Sequence, residues 1–342
     1  MQNFPEKTGA VVIEGHVQRL SNTRSLGEKG IPVYVVDKHN CIARYSKYCK
    51  KFFRSPDFIL DDFAAFLIKL AKKEDIKDWV LIPSNDHAVY TISKHKNDLE
   101  RFYKITTPGI EIIDSIYDKT KLIEKAKING IPVPETQTFT SVKENVSSLV
   151  NFPVLTKGKN GLSFYKASGK KVFLAQNEKK LRKQLSSLND NYDIAKTFTQ
   201  EYIPFDGSNK TISFTAFCDH GEIKAHWTGV KLREHPVRFG TATFTRSTSV
   251  EECYQYSRKL LKALNYTGVC EVEYIKDPRT NEYKLIEINP RTWLWVDLAK
   301  ACGVDYAKMI YDYAHSRKIE YQADGNNTLY WINPFTDTVF SI

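Results

Sequence analysis

Between Gly268 and Arg291 the sequence reads GVCEVEYIKDPRTNEYKLIEINPR, and this stretch constrains the fold more than any other. Two runs of alternating character flank DPRTN, where Pro278 and Asn281 are turn formers, so the spacing predicts a β-hairpin. Residues i and i+2 of a strand share a face. One face then carries Glu271, Glu273, Glu287, Asn289 and Arg291, and the other carries Val272, Tyr274, Ile286 and Ile288, the core side. Folded about its midpoint, the hairpin sets Glu273 opposite Glu287 and Glu271 opposite Asn289. Carboxylates facing each other across a ladder stand roughly 5 Å apart and repel. A hard divalent cation removes that penalty, and an oxygen-only set of two Glu and one Asn favours Mg²⁺ or Mn²⁺ over Zn²⁺. The alternative is a solvated acidic ribbon, and the features upstream weigh against it.

The chain has 342 residues, enough for two or three domains. Its 42% hydrophobic and 26% charged content is that of a globular protein. No apolar run reaches the roughly 20 residues of a membrane span, and the N-terminus lacks a signal-peptide layout, so a cytoplasmic location without membrane partners is the expectation. Six scattered cysteines form no C-x-x-C or Cys/His cluster, which argues against zinc and iron–sulfur sites and fits a reducing compartment. The formal net charge of +10 attracts anions. Without a Lys/Arg block or a known motif, nucleic acid is not expected as a partner, and a smaller anion such as ATP fits as well.

The first third alternates strand and helix. GAVVIEG (9–15), IPVYVVD (31–37) and WVLIPSND (79–86) read as strands, with helices to about Lys29, over 61–74 and over roughly 87–101. This is a doubly wound βαβ pattern without the G-x-G-x-x-G fingerprint, so dinucleotide binding is not supported. Asp86 falls at the C-terminal end of its strand, where ligands approach such sheets, or caps the next helix. Asp118 is placed to cap a helix that Gly130 ends and Pro132 and Pro134 forbid from continuing. A boundary is set near 115. Beyond it FPVLTKG, KKVFLA, TISFTAFC and EIKAHWTGVKL read as strands and 158–170 as a loop, with KTFTQEYIPFDG (196–207) between the second and third of these strands. Helices are expected at 177–188, 250–265 and 296–316, with peripheral strands over 320–342.

The order DK–helix–GIPVP, then FPVLTK, QEYIP and VEY…IEINPR resembles the ATP-grasp superfamily over about residues 8–318. Within it the chain looks most like stand-alone carboxylate–amine ligases related to D-aspartate ligase and to carbamoyl-phosphate-synthase-like proteins. The resemblance implies a mixed α/β and α+β architecture: a Rossmann-like pre-ATP-grasp domain (1–115), a small central α+β domain (116–200) and a C-terminal domain with the metal-binding hairpin (201–342), with ATP between the last two. It also implies residue roles. Lys119 and Lys157 match the two nucleotide lysines, and Glu201, Tyr202 and Ile203 match the hinge that reads adenine. Asp206 is the candidate for the ribose hydroxyls. Gly161 lies in the loop expected over the phosphates, which lacks Walker A spacing. Lys231 and Arg233, alternating on one strand face, match basic residues near phosphate and substrate, and Arg238 and Gly240 flank the expected acceptor pocket. Glu273, Glu287 and Asn289 match the metal ligands, and Arg291 the arginine that stabilises the transferred phosphoryl group. Phe205 stands where relatives have glycine, and Trp293 and Trp295 where they have small residues. This departure points to an unusual acceptor pocket or to core packing.

The expected activity is an ATP-dependent ligation of a carboxylate to an amine through an acyl phosphate, with ATP and Mg²⁺ (or Mn²⁺). The alternatives are carbamoyl-phosphate-type phosphoryl transfer and a non-catalytic ATP-binding protein. Expected partners are small molecules, an amino acid or a cell-surface precursor among them, and a homodimer is left open.

Overall fold

The parallel sheet of the N-terminal region follows from short, wholly apolar strands. In the computed structural model, which describes residues 8–14, 17–141, 151–235, 240–321 and 328–340, these are β1 (Ala10–Ile13), β2 (Val33–Asp37), β3 (Cys49–Arg54), β4 (Trp79–Pro83) and β5 (Tyr103–Ile105). Every residue of β1 is buried, as a strand covered on both faces must be. The order is β3-β2-β1-β4-β5 with all pairings parallel, the doubly wound arrangement expected from the sequence. The helix Val17–Glu28 buries polar side chains, and two of them join it to its neighbours. Arg19 donates to Asp37 at the end of β2, and Asn22 Nδ2 donates to Ser84 Oγ and Thr292 Oγ1. Asn85 caps the helix Asp86–Lys94, accepting from Ala88 N at 2.7 Å, which leaves Asp86 for another partner.

The middle of the chain forms a four-stranded antiparallel sheet ordered β6-β9-β7-β8, from β6 (Thr136–Gln137), β7 (Val154–Gly158), β8 (Phe173–Ala175) and β9 (Thr197–Glu201). Asp118 caps the helix Lys119–Ile128 as expected, its carboxylate accepting from Thr120 N at 3.0 Å. The stretch read as a loop contains a helix, Gly161–Ser168. Its apolar anchor Phe164 is buried among Leu188 and Ile194, against Phe173 and Tyr192. Gly158 is required beneath it: a Cβ there would sit 2.2 Å from Phe164 Cβ.

A six-stranded sheet follows, ordered β14-β13-β10-β11-β12-β15, from β10 (Thr211–Asp219), β11 (Glu222–His235), β12 (Thr241–Thr248), β13 (Gly268–Lys276), β14 (Tyr283–Asn289) and β15 (Tyr330–Ile332). The predicted hairpin is β13–β14. Among the described residues the terminal region holds one short strand and the helix Pro334–Phe340, where the sequence suggested strands alone.

Contacts divide the chain into two units. One comprises Met1–Ile113, Thr211–Glu273 and Ile288–Ile342, and the other Asp114–Lys210 with Tyr274–Glu287. This differs from the three-part division read from the sequence: the parallel sheet joins most of the six-stranded sheet, while 201–210 and the far end of the hairpin go with the central segment. Within the first unit one core runs through both sheets and the C-terminal helices, from Val12, Val35 and Ile82 to Phe217 and Trp227 and on to Leu298, Tyr306 and Ile310. No helix among the described residues is long and apolar enough to cross a membrane.

Candidate functional site

Alternation along β13 puts Glu271 and Glu273 on one face, beside Lys231 of β11. Lys231 Nζ donates to Glu273 Oε1 at 2.8 Å, and both side chains are nearly buried. Asn289 Nδ2 donates to Glu271 Oε2 at 3.0 Å and lies 3.4 Å from Glu273 Oε1. Arg291 Nη2 reaches Asn289 Oδ1 at 3.4 Å. The same guanidinium grips Asp86, Nε to Oδ1 at 2.9 Å and Nη2 to Oδ2 at 3.2 Å. A continuous line of polar side chains therefore runs from β11 and β13 through the end of β14 to the helix that begins at Asp86.

Electrostatics follow from this crowding. Burial, reinforced by the charge of Glu273, pushes the Glu271 carboxyl up to about 7 against the pull of Lys231 and Arg291. Burial alone would depress Lys231, but Glu273 and Glu271 outweigh it and hold the ammonium well above its ordinary value. The cluster thus sets the carboxyls of Glu271, Glu273 and Asp86 against the cations of Lys231 and Arg291.

The other unit carries a basic counterpart. Lys119, first residue of the helix Asp118 caps, donates to Glu287 Oε2 of β14 at 2.8 Å. Lys157 of β7 donates to Gln200 Oε1 of β9 at 3.1 Å. Burial and the charge of Lys119 bring the Lys157 ammonium down to about 8, with Glu287 acting in the opposite direction. Glu287 and Asn289 stand two residues apart on one strand and so share its face.

Several residues singled out from the sequence have firm structural partners. Glu201 accepts from Lys284 Nζ and Arg279 Nη2, each at 2.6 Å, and from Glu135 N at 3.0 Å, so its carboxylate belongs to an ion cluster completed by the fully buried Asp277. Tyr202 N donates to Pro153 O at 3.0 Å, which pins the strand end where Tyr202 and Ile203 follow β9. Asp206 Oδ1 closes a turn, accepting from Ser208 N and Asn209 N at 2.8 Å, the turn role open to an acid before Gly207. Gly161 starts its helix rather than lying in a loop.

Lys231 and Arg233 do not share a strand face as expected. The pairing of β11 with β12 shifts register between them, a bulge that re-aims the second side chain. Arg233 accordingly turns to the C-terminal helix and holds Asp337 with two bonds, Nε to Oδ1 at 2.8 Å and Nη2 to Oδ2 at 2.5 Å. Trp293 and Trp295 are core residues, 2% and 1% exposed, packed with Trp227 and, for Trp293, Tyr306. Arg238 lies outside the described residues, and Gly240 opens the approach to β12. The pairing of Asp86 with Arg291 had no local signal, because the partners are 205 residues apart.

Among the described residues no three His, Cys, Asp or Glu side chains gather as a metal-ligand group. The donor set expected from the sequence is two carboxylates and an amide. Such a set suits an ion that takes few protein ligands and completes its shell with water and phosphate.

A family model described as carbamoyl-phosphate synthase L chain, ATP binding domain, matches residues 235–321, the segment that holds the hairpin. D-aspartate ligase of Enterococcus faecium is 25% identical over 247 residues, 67% of this chain, and the match spans 58% of that relative's length. Among solved structures, N5-carboxyaminoimidazole synthetase from Staphylococcus aureus complexed with ADP superposes with a TM-score of 0.71 at 16% identity, over 97% of this chain and 84% of that one. L-amino acid ligase from Bacillus licheniformis gives 0.69 at 12% identity, over 95% and 77%. The matched hairpin segment and these likenesses bear out the resemblance to the ATP-grasp superfamily carried by the motifs, and the structural likenesses show that the chain has the fold of these enzymes.

Proposed function

We propose that the protein is an ATP-dependent ligase that activates a carboxylate as an acyl phosphate and joins it to an amine. The observation that carries this reading is the line Lys231–Glu273–Asn289–Arg291, in which two residues with hard oxygen donors are flanked by fixed cations. Glu273, Glu287 and Asn289 would hold Mg²⁺ or Mn²⁺. The residues present fit such an ion, because Glu273, Glu287 and Asn289 offer oxygen donors, which suit a hard divalent cation. When bound, the cation neutralises phosphate charge.

Lys119 and Lys157 would contact the phosphates of ATP, and the chain at Glu201, Tyr202 and Ile203 would border the adenine, with Asp206 close to the ribose. Arg291, held in place by Asp86, would stabilise the negative charge that builds on the transferred phosphoryl group, and Lys231 would help neutralise it. Arg233 serves only if it is released from Asp337. The substrate carboxylate attacks the γ-phosphorus of ATP and ADP leaves. The amine then attacks the acyl carbon, loses a proton and expels phosphate, which forms the amide. No protein nucleophile is required, and catalysis rests on positioning and charge neutralisation.

The likeness to a D-aspartate ligase and an L-amino acid ligase supports an amino acid as one substrate. The test is a panel of amino acids, paired and singly, with Mg-ATP, scored for phosphate release and amide product. Phosphate with amide from at least one pair is the expected outcome, and Glu287→Gln should abolish it while leaving the circular dichroism spectrum unchanged. Undiminished turnover by that variant would remove the metal assignment. Acyl phosphate without amide across the panel would replace ligation by phosphoryl transfer alone.

A further inference from the structure

The helix Val17–Glu28 buries Gln18, Asn22 and Ser25, none of them more than 7% exposed. Spaced by four and three residues, they share one face, the face that a helix ordinarily fills with apolar side chains. Their bonds reach other elements of the same unit. Gln18 Nε2 donates to Ser84 O at 3.1 Å, and Ser25 Oγ donates to Asp305 Oδ1 at 2.5 Å. Between them, Asn22 uses its amide nitrogen twice. Nδ2 donates to Thr292 Oγ1 at 3.0 Å and to Ser84 Oγ at 3.4 Å.

Both partners of Asn22 are buried, and both belong to segments that hold Arg291. Thr292 follows Arg291 in the chain, and its carbonyl oxygen accepts from Arg291 Nη1 at 3.2 Å. Ser84 stands two residues before Asp86, whose carboxylate takes Nε and Nη2 of the same guanidinium. The guanidinium is therefore gripped by one segment at the end of β4 and by another after β14. The Asn22 amide is hydrogen-bonded to both. A buried amide–hydroxyl pair can be exchanged for apolar side chains of the same shape at little net cost. What such a bond adds is a single geometry, because a satisfied polar network specifies one arrangement of the groups around it.

We propose that Asn22 is a positioning residue for Arg291: it ties the segment of Thr292 to the segment of Ser84 and Asp86, and so fixes the direction of the guanidinium. The inference rests on the ligase reading, in which Arg291 meets the charge on the transferred phosphoryl group. Stabilisation of that charge depends on donors already in place when it develops. A misplacement of about 1 Å can cost about 100-fold in rate.

The test sets steady-state kinetics of the full chain, with Mg-ATP and an amino-acid pair that yields amide, beside urea denaturation of the same variants. Asn22→Leu keeps the size of the side chain and removes its donors. It should lower kcat by about 10–100-fold with KM for ATP little changed, and it should lower the urea midpoint. Adding Thr292→Val makes the second partner apolar as well. The midpoint should then recover most of the way while kcat stays low. If kcat recovers with the midpoint, Asn22 only stabilises the fold. That result, or a parent-like kcat in folded Asn22→Leu, overturns the proposal and leaves the ligase reading standing. Should Asn22→Leu fail to fold, Thr292→Val and Thr292→Ser decide. The valine variant should be slow, and the serine variant, which keeps the hydroxyl, should stay within a few-fold of the parent. Equal rates for the two overturn the proposal. Arg291→Lys at the parent rate, or no amide from any pair, overturns the ligase reading and the proposal together.

Discussion

Lys157 shows how far a single side chain can be read in advance. A lysine emerging from the apolar run FPVLT has its ammonium in a poorly solvated place, and the structure gives it Gln200 for a partner and Lys119 for a neighbour. Because burial and Lys119 bring it down to about 8, its charge is complete below that pH and lost above it. If Lys157 contacts phosphate, ADP affinity should fall between pH 7 and 9, by about tenfold per unit of pH at most, and binding above pH 8 should take up a proton. Calorimetry in two buffers of different ionisation enthalpy measures both. Lys157→Arg, which stays charged, should flatten the profile, and a wild-type affinity constant over this range would show that the group lies away from the anion. The acids of the hairpin were equally legible, since alternation alone places Glu271 and Glu273 together. What alternation could not supply was the partner of Arg291. Asp86 is remote in sequence and becomes its neighbour only through the packing of the parallel sheet against the larger one.

At the level of elements, legibility tracked burial. The central strands of the parallel sheet are solid apolar runs and announce themselves. The edge strand β3, CKKFFR, is half-exposed and polar, and β12, TATFTRST, presents threonines that resemble a loop, so neither was read as a strand. The bulge in β11 left no mark in the sequence, and it sends Arg233 to Asp337 while Lys231 stays with Glu273. Gly229 of β11 lies against two indoles. A Cβ there would lie 2.4 Å from Trp295 and 2.5 Å from Trp227, both buried indoles. Gly229→Ala should therefore destabilise the first unit by about 1–3 kcal/mol, as overpacking does. Urea denaturation checks this, and an unchanged midpoint would mean that the indoles repack without penalty.

The whole chain is organised around segments that leave and return, which local patterns cannot announce: the small unit takes Tyr274–Glu287 from the hairpin while the rest of that hairpin belongs to the large one. Inside the small unit this excursion is fastened by Asp277 and Glu201 against Lys284 and Arg279. Although burial opposes ionisation, Lys284 and Arg279 hold both carboxyls below their ordinary range. Such groups stabilise fully above about pH 4.5, their unfolded range, and the contribution is withdrawn as pH falls through the lowered values. Asp277→Asn, which removes one of the two carboxylates that Lys284 shares and leaves it Glu201, is expected to cost about 1–3 kcal/mol at pH 7. It should also reduce the loss of stability between pH 5 and 3, measured by thermal melts. A variant as stable as the parent at pH 7 would show the cluster to be dispensable. All five tryptophans, Trp79, Trp227, Trp293, Trp295 and Trp331, belong to the large unit. Indole emission is consequently blind to the small unit, and a melt followed by fluorescence beside one followed by ellipticity will reveal, without any label, whether the two units come apart in one step or in sequence.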